Sequence, residues 1–150
     1  MDGFEKLEVG VIHPYEIISK SALPAFRAMI SKRLTENYRM TQQQAATRLG
    51  VTQASISNYA RKARGVMVNL ETDATIAKVA DKVAAELASD SPDYKEVLRL
   101  MTEVCDYIRF SHLLCRLHGE LEEGFNPEGC YACDGGISVT NVATRLKMTS

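Results

Sequence analysis

One segment near the middle of the chain constrains the fold more than any other. The stretch TQQQAATRLGVTQASISNYARKARG begins at Thr41 and places Gly50 between two short amphipathic runs. Thr41 and Thr52 each precede one run, where a threonine hydroxyl caps a helix N-terminus, and a glycine lets the chain leave the first helix. Ala46, Gly50 and Ile56 lie four and six residues apart. This spacing predicts two short helices that cross at a tight turn. The small Ala46 would let the helices approach each other, and the branched Ile56 would pack between them.

The apolar residues on either side of this segment also recur at helical intervals. The stretch LPAFRAMISKRL predicts a helix that begins at Ser21 with a proline in its first turn, and ATIAKVADKVAAEL predicts another. A third, long helix is predicted to begin with Ser91 as its cap and to end at Gly119 or Gly124. The sequence therefore predicts an all-α fold.

The chain divides into three predicted parts. Residues 1–20 are a lead-in, with a short extended piece that ends near Pro14. Residues 21–66 contain the pair of short helices, and residues 67–150 contain the longer helices and a cysteine-rich turn. A chain of 150 residues that is 45% hydrophobic can build one core or two small units that share one.

The net charge of −1 hides an uneven distribution. Residues 32–65 carry seven basic side chains and one acidic side chain, a balance of +6, whereas residues 66–150 carry eight basic and fourteen acidic ones, a balance of −6. A basic block in an otherwise acidic chain predicts a local surface for a polyanion. No apolar run is long enough to span a membrane, and the acidic N-terminus lacks the apolar core of a signal peptide, so we expect a cytoplasmic protein without a membrane partner.

The stretch TQQQAATRLGVTQASISNYARKARG resembles the DNA-binding unit of the Xre/Cro class of transcriptional regulators, which would make double-stranded DNA the partner of the basic block. In this class the second helix of a helix-turn-helix lies in the major groove. The resemblance implies base-edge contacts by Gln53, Ala54, Ser55 and Asn58, with Ser57 near the DNA backbone. It implies phosphate contacts by Thr41, Thr52, Arg61, Lys62 and Arg64, with Gln42 bracing Gln53 or a phosphate.

The resemblance extends over nearly the whole chain. ALPAFRAMISKRL leads into the helix-turn-helix, and a C-x9-C-x14-C-x2-C pattern follows it, as in a group of small archaeal Xre-type regulators. A sequence-specific regulator commonly binds two half-sites one helical turn apart. We therefore expect a homodimer that is formed by the helices of residues 72–118, with no catalytic residue and no small-molecule substrate.

All four cysteines, Cys105, Cys115, Cys130 and Cys133, fall in the last third of the chain. Clustered cysteines in a cytosolic protein more often hold metal than form disulfides, and four thiolates select zinc or an iron–sulfur cluster. Cys105 and Cys115 would lie about 15 Å apart on a straight helix. A four-cysteine site therefore needs a helix break between them or a Cys105 from a second chain. His118, three residues after Cys115, is the alternative fourth ligand.

The cysteine spacing is compatible with more than one metal and more than one role. A regulator needs an input, which favours an iron–sulfur cluster that senses redox or iron status; the alternative is a structural zinc ion in a regulator or antitoxin. A third hypothesis is a thiol oxidoreductase that uses the CYAC segment at Cys130. A redox CxxC motif usually belongs to a βαβ unit, which this sequence does not predict, so we expect no enzyme.

Overall fold

The computed structural model describes residues 12–62, 69–122 and 124–133, and within these ranges it contains helices and no strands. The all-α prediction is therefore confirmed for this part of the chain. The elements are α1 (Pro14–Ile17), a π-helical turn (Ile18–Ala22), α2 (Leu23–Asn37), α3 (Gln42–Leu49), α4 (Gln53–Lys62), α5 (Ala74–Ala88), α6 (Tyr94–Phe110) and α7 (Leu113–Leu121). None of the helices in the described ranges is long and apolar enough to cross a membrane.

The first helical rod, which consists of α1, the π-helical turn and α2, begins earlier than the sequence predicts. His13 caps α1, accepting a hydrogen bond from the Tyr15 amide at 3.1 Å, and the Glu16 carboxylate accepts one from the His13 amide at 3.1 Å. The rod then runs without interruption through the π-helical turn into α2. The prediction of a helix start at Ser21 is wrong, because the His13–Glu16 capping box and a proline at the first helical position start the helix at Pro14. The predicted extended piece ending near Pro14 lies mostly outside the described residues, and His13 has an extended backbone.

Helix α2 forms the centre of the fold and packs against α3, α4 and α5. Its buried face includes the apolar positions that the periodicity identified, and α5 supplies a matching face that also packs against α6. The fully buried large side chains of these two helices are Phe26, Met29, Ile30, Leu34, Ile76, Val83 and Leu87. One cluster of buried side chains extends from Ile12 to Leu114, so the helices around the α3–α4 pair share a core with the C-terminal helices.

Helix α6 begins two residues later than predicted and is followed by a break. Asp93, rather than Ser91, caps α6 by accepting hydrogen bonds from the Lys95 and Glu96 amides at 3.0 and 3.2 Å. The helix ends at Phe110, and His112 takes a left-handed conformation with φ of 64°.

The break allows two faces of this segment to be buried. On a continuous helix Ile108 and Leu114 would lie roughly 120° apart around the axis, yet each is 1% exposed. Helix α7 turns back to pack against α1 and α6, passes through Gly119 and ends at Leu121. The prediction of one long helix ending at Gly119 or Gly124 is therefore wrong, because tertiary packing sets the break where the sequence has neither glycine nor proline.

Candidate functional site

The capping interactions of α3 define its first turn. Thr41 Oγ1 accepts a hydrogen bond from the Gln44 amide at 3.1 Å, and Gln44 Oε1 accepts one from the Thr41 amide at 2.9 Å. At the other end Gly50 adopts a left-handed φ of 71°, and the amide of Val51 donates to the carbonyl of Ala46 at 3.0 Å. This local chemistry ends α3 and turns the chain toward α4.

Helix α4 is held against α3 by small and branched buried residues. Ala45 and Ala46 on α3 are fully buried, and Ile56 on α4 is 4% exposed. At the start of α4, Thr52 Oγ1 accepts a hydrogen bond from the Ser55 amide at 3.0 Å and lies 2.7 Å from the Ser55 hydroxyl. The two helices contact each other, and α4 also packs on α2. The outer face of α4 is thereby fixed relative to the core.

The polar residues predicted to contact bases lie together on the outer face of this pair. Residues with exposed side chains are Thr41, Gln42, Thr52, Gln53, Ala54, Ser57, Asn58 and Arg61, and Ser55 is half-buried. Gln53 Nε2 donates a hydrogen bond to Gln42 Oε1 at 3.3 Å, and Arg61 Nη2 donates to Asn58 Oδ1 at 2.9 Å. Lys62 is the last residue of α4. Arg64 lies outside the described residues.

Some basic side chains of residues 32–65 are exposed, whereas others contact carboxylates or carbonyls elsewhere in the fold. Arg33 forms two hydrogen bonds with Glu71, at 2.6 and 3.1 Å, and one with Asp81 at 2.6 Å. These carboxylates, Glu71 foremost, raise the pKa of the Arg33 guanidinium. Arg48 donates to the Ser89 carbonyl at 3.1 Å. The sequence balance of +6 therefore overstates the charge available to a partner, since Arg33 is neutralised internally.

Three of the four cysteines line one small pocket near the break between α6 and α7. Cys115, Cys130 and Cys133 share a cavity of about 10 Å³ with His112 and His118. The pocket is closed on one side by a turn in which the Cys130 amide donates to the Pro127 carbonyl at 3.0 Å. Three cysteines and two histidines thus line a space about one water molecule wide.

Cys105 does not belong to this group. It lines a separate, larger cavity between α2 and α6. Burial raises the pKa of the Cys105 thiol to about 11, with a further increase from the Asp106 carboxylate and an opposing effect from Arg27. Across the described ranges, no three histidine, cysteine, aspartate or glutamate side chains are placed closely enough to bind one ion. The structure therefore does not bring the four cysteines together, although α6 does break between Cys105 and Cys115.

The two histidines of the small pocket have different surroundings. His118 Nε2 lies 2.7 Å from Glu122 Oε2, and the His118 ring stacks on Phe125 with ring centroids 3.8 Å apart. Glu122 is 7% exposed and also accepts a hydrogen bond from the Ile12 amide at 3.3 Å. A carboxylate that holds one ring nitrogen orients the histidine and leaves Nδ1 for another partner.

His112 contacts Cys115, with Nδ1 3.4 Å from Sγ. His112 was not among the ligands that the sequence predicted for the cysteine site. One signal was present, because His112-x2-Cys115 repeats the spacing of Cys130-x2-Cys133. Comparisons of the chain with protein-family profiles, curated proteins and solved structures gave no match.

Proposed function

We propose that this protein is a sequence-specific DNA-binding transcriptional regulator whose α3–α4 pair is a helix-turn-helix. The observation that carries the proposal is the exposed polar face at the start of α4, held over a core of buried alanines and Ile56. Gln53 and Asn58 can each bond the edge of an adenine bidentately, and Ala54 can contact a thymine methyl. A helix of ten residues fits the major groove, where such residues discriminate base pairs.

Exposed basic and hydroxyl groups near this face supply phosphate contacts. Lys32, Arg39 and Arg61 are exposed, as are the hydroxyl-bearing residues Thr41 and Thr52 at the two helix N-termini. Such contacts position the protein on the duplex and make affinity depend on salt. The partly buried arginine–carboxylate contacts of Arg33 contribute to folding instead.

The proposal is tested by selecting binding sites from a randomised duplex library and titrating the selected and scrambled duplexes by fluorescence anisotropy. We expect the Asn58→Ala variant to weaken binding to the selected site by roughly tenfold or more, with little change on the scrambled duplex. Arg61→Gln should weaken both and lower the salt dependence by about one phosphate contact, whereas Lys95→Gln on α6 serves as the charge-matched control. Failure to enrich any sequence would refute sequence-specific binding.

A homodimer is part of this proposal, because operators with two half-sites require two recognition helices related by a two-fold axis. The helices of residues 72–118 include Phe110, whose side chain is 40% exposed. Sedimentation equilibrium of the full chain, with and without a selected duplex, measures the stoichiometry. A single chain on a duplex with two half-sites would contradict the dimer.

We further propose that Cys115, Cys130 and Cys133 bind a metal ion with His118 as the fourth ligand. These residues line one pocket, although their side chains would have to move closer together to reach a common ion, and Glu122 orients His118 as carboxylates orient zinc-bound histidines. Three cysteines and one histidine form a common tetrahedral zinc site, and a pocket of about 10 Å³ suits a single ion. Because Cys105 lines another cavity, we favour a single ion over a cluster bound by four thiolates of one chain. Bound zinc would tie the C-terminal turn to α7.

Elemental analysis after anaerobic purification separates the alternatives. One zinc per chain without acid-labile sulfide supports the single-ion site. Iron with acid-labile sulfide and a visible absorption band would instead support an iron–sulfur sensor. Equal operator affinity of the metal-loaded and metal-free protein would limit either metal to a structural role.

A further inference from the structure

A large cavity lies between the end of α3 and the C-terminal helices. It has a volume of about 740 Å³ and lies between the first helical rod, the end of α3 and one face of α6. The turn at Leu49 and Gly50 forms one wall, and Leu87 of α5 closes another part of it. The cavity thus touches both the elements that hold α4 and the helices of residues 72–118.

The size and lining of this cavity are those of a small-molecule site. Ligand pockets usually measure about 300–1,000 Å³ and combine apolar walls with a few polar groups. Here α6 contributes a continuous strip along one side, formed by Tyr94, Leu98, Met101 and Cys105. Tyr94 is 52% exposed and Leu98 is 65% exposed, so apolar surface reaches the mouth of the cavity.

The charged groups of the cavity favour an anion. Arg27 and Arg48 line it, and the carboxylate on its wall is that of Asp106. Asp106 is paired with the buried Arg109, with 3.6 Å between Oδ1 and Nη2. Arg109 is itself 6% exposed, and its Nε and Nη2 atoms have no hydrogen-bond partner among the described residues. Two guanidinium groups and one carboxylate leave the lining with a net charge of +1, which favours an anionic ligand.

We propose that this cavity binds a small amphipathic anion, with an apolar or aromatic body against α6 and one acidic group toward Arg27 and Arg48. A guanidinium binds carboxylate, phosphate and sulfonate groups through charge-assisted hydrogen bonds. The strip from Tyr94 to Cys105 covers twelve residues, about 16 Å along a helix, which accommodates a fused-ring or medium-chain body.

The same ligand would act on DNA binding, and this step rests on the proposed function. Arg27 lies 5.9 Å from the centre of the Tyr59 ring on α4, and Gly50 sets the direction in which the chain enters that helix. A ligand that engages Arg27 and the Leu49–Gly50 wall therefore touches both supports of α4. The ligand would change DNA affinity by binding one orientation of α4 more tightly than another.

The binding step is tested with two fluorescent probes that share a ring system. 1-Anilinonaphthalene-8-sulfonate carries a sulfonate, and N-phenyl-1-naphthylamine is its uncharged counterpart. We expect one saturable site per chain for the sulfonate and weaker binding of the uncharged probe. Leu98→Glu should weaken sulfonate binding by about fivefold or more through like-charge repulsion, and Leu98→Lys should not. Because Leu98 is 65% exposed, both variants are expected to fold, which circular dichroism checks.

Arginine variants locate the anion inside the cavity. Arg27→Gln should weaken the sulfonate probe by about tenfold or more while leaving the uncharged probe unchanged. Arg99→Gln is the matched control, since Arg99 is exposed on α6 and pairs with Glu96 and Glu103 instead of lining the cavity. Equal binding of both probes, unsaturable fluorescence, or a dimer that covers Leu98 and dissociates in Leu98→Glu would each overturn the proposal.

The regulatory step has a separate readout. Saturating sulfonate probe should change affinity for a selected duplex in the wild type and leave it unchanged in Arg27→Gln. Saturable probe binding without any effect on DNA affinity would refute the effector role and leave the binding site intact. Probe binding in a chain that fails to bind DNA would refute the proposed function and not the site.

Discussion

The side-chain amide of Gln53 donates a 3.3 Å hydrogen bond to Oε1 of Gln42 and thereby joins the first residues of α4 and α3. Both side chains are exposed at the same end of the helix pair. Gln53 is the first residue of the helix proposed to enter the major groove, so its rotamer decides which base edge it meets. Gln42 holds that rotamer from a neighbouring helix.

This contact predicts energetic coupling between Gln42 and Gln53 in DNA binding. Gln53→Ala should lower affinity for a selected duplex, and Gln42→Ala should lower it by a smaller factor. The double variant should lose less than the sum, with a coupling of roughly 0.5–1 kcal/mol, because neighbours that share a hydrogen bond are not additive. Gln43→Ala, an exposed glutamine on the same turn, is the control. Strict additivity in anisotropy titrations would contradict the bracing role.

Substitution by alanine should have different effects on stability at Gly50 and Gly119. Gly50 has a φ of 71°, where a Cβ costs roughly 1–2 kcal/mol, so Gly50→Ala should lower the free energy of unfolding by about that amount. Gly119 lies inside α7, and a Cβ there would meet Pro127 Cδ at 3.5 Å, an ordinary contact. Gly119→Ala should therefore leave stability unchanged or raise it by up to about 1 kcal/mol. Urea unfolding of both variants measures the difference.

Arg33 should stabilise the fold although it belongs to the basic block. Its side chain is 13% exposed and binds Glu71 and Asp81, which connects α2 to α5 and to the segment before it. Arg33→Ala should cost roughly 1.5–3 kcal/mol, because it leaves the half-buried Glu71 without its partner. Arg99 also pairs with two carboxylates but is 52% exposed, so Arg99→Ala should change the urea midpoint far less. Equal losses would show that the Arg33 contacts are no stronger than a surface network.

Local chemistry made much of the fold predictable from sequence. The Thr41 cap, the left-handed Gly50 and the apolar faces of α2 and α5 all act within a few residues or one helical period. The start at His13 was missed because histidine is not a usual capping residue, although the pair with Glu16 has the spacing of a capping box. The start of α1 was therefore not predicted, because histidine rarely occupies the N-cap position.

The break at His112 depends on contacts that no local signal encodes. A non-glycine residue with φ of 64° carries strain, which is offset when Leu114 on α7 is buried against the rest of the core. The same packing decides which cysteines share a pocket, and so spacing alone left the fourth ligand open. The large cavity was likewise not predictable from sequence, since its walls come from six separate elements.

Cys105 should react slowly with alkylating reagents. Its pKa is raised to about 11 by burial, so at pH 8 its thiolate fraction is roughly a hundredfold below that of a thiol with a pKa of 9.0. Iodoacetamide labelling followed by peptide mass spectrometry should therefore show slow modification of Cys105 at pH 8 that accelerates up to about pH 11. The chain unfolded in guanidinium is the control and should lose this delay. Rapid labelling of folded Cys105 at pH 8 would contradict its burial.

The separation of Cys105 from the other three cysteines predicts a difference in metal content. Cys105→Ser should retain the metal of the wild type, because Cys105 lines the large cavity while Cys115 lines the small pocket with Cys130 and Cys133. Cys115→Ser should lose most of it, since replacing a thiolate by a hydroxyl removes the soft donor that zinc prefers. Metal analysis of both purified variants is the measurement, with unfolding curves to confirm that each folds.

Loss of metal in Cys105→Ser would instead favour a site that a Cys105 thiolate completes, from the same chain after rearrangement or from a second chain. Sedimentation of the metal-loaded protein then distinguishes these two, because a ligand supplied by a second chain makes the dimer depend on metal.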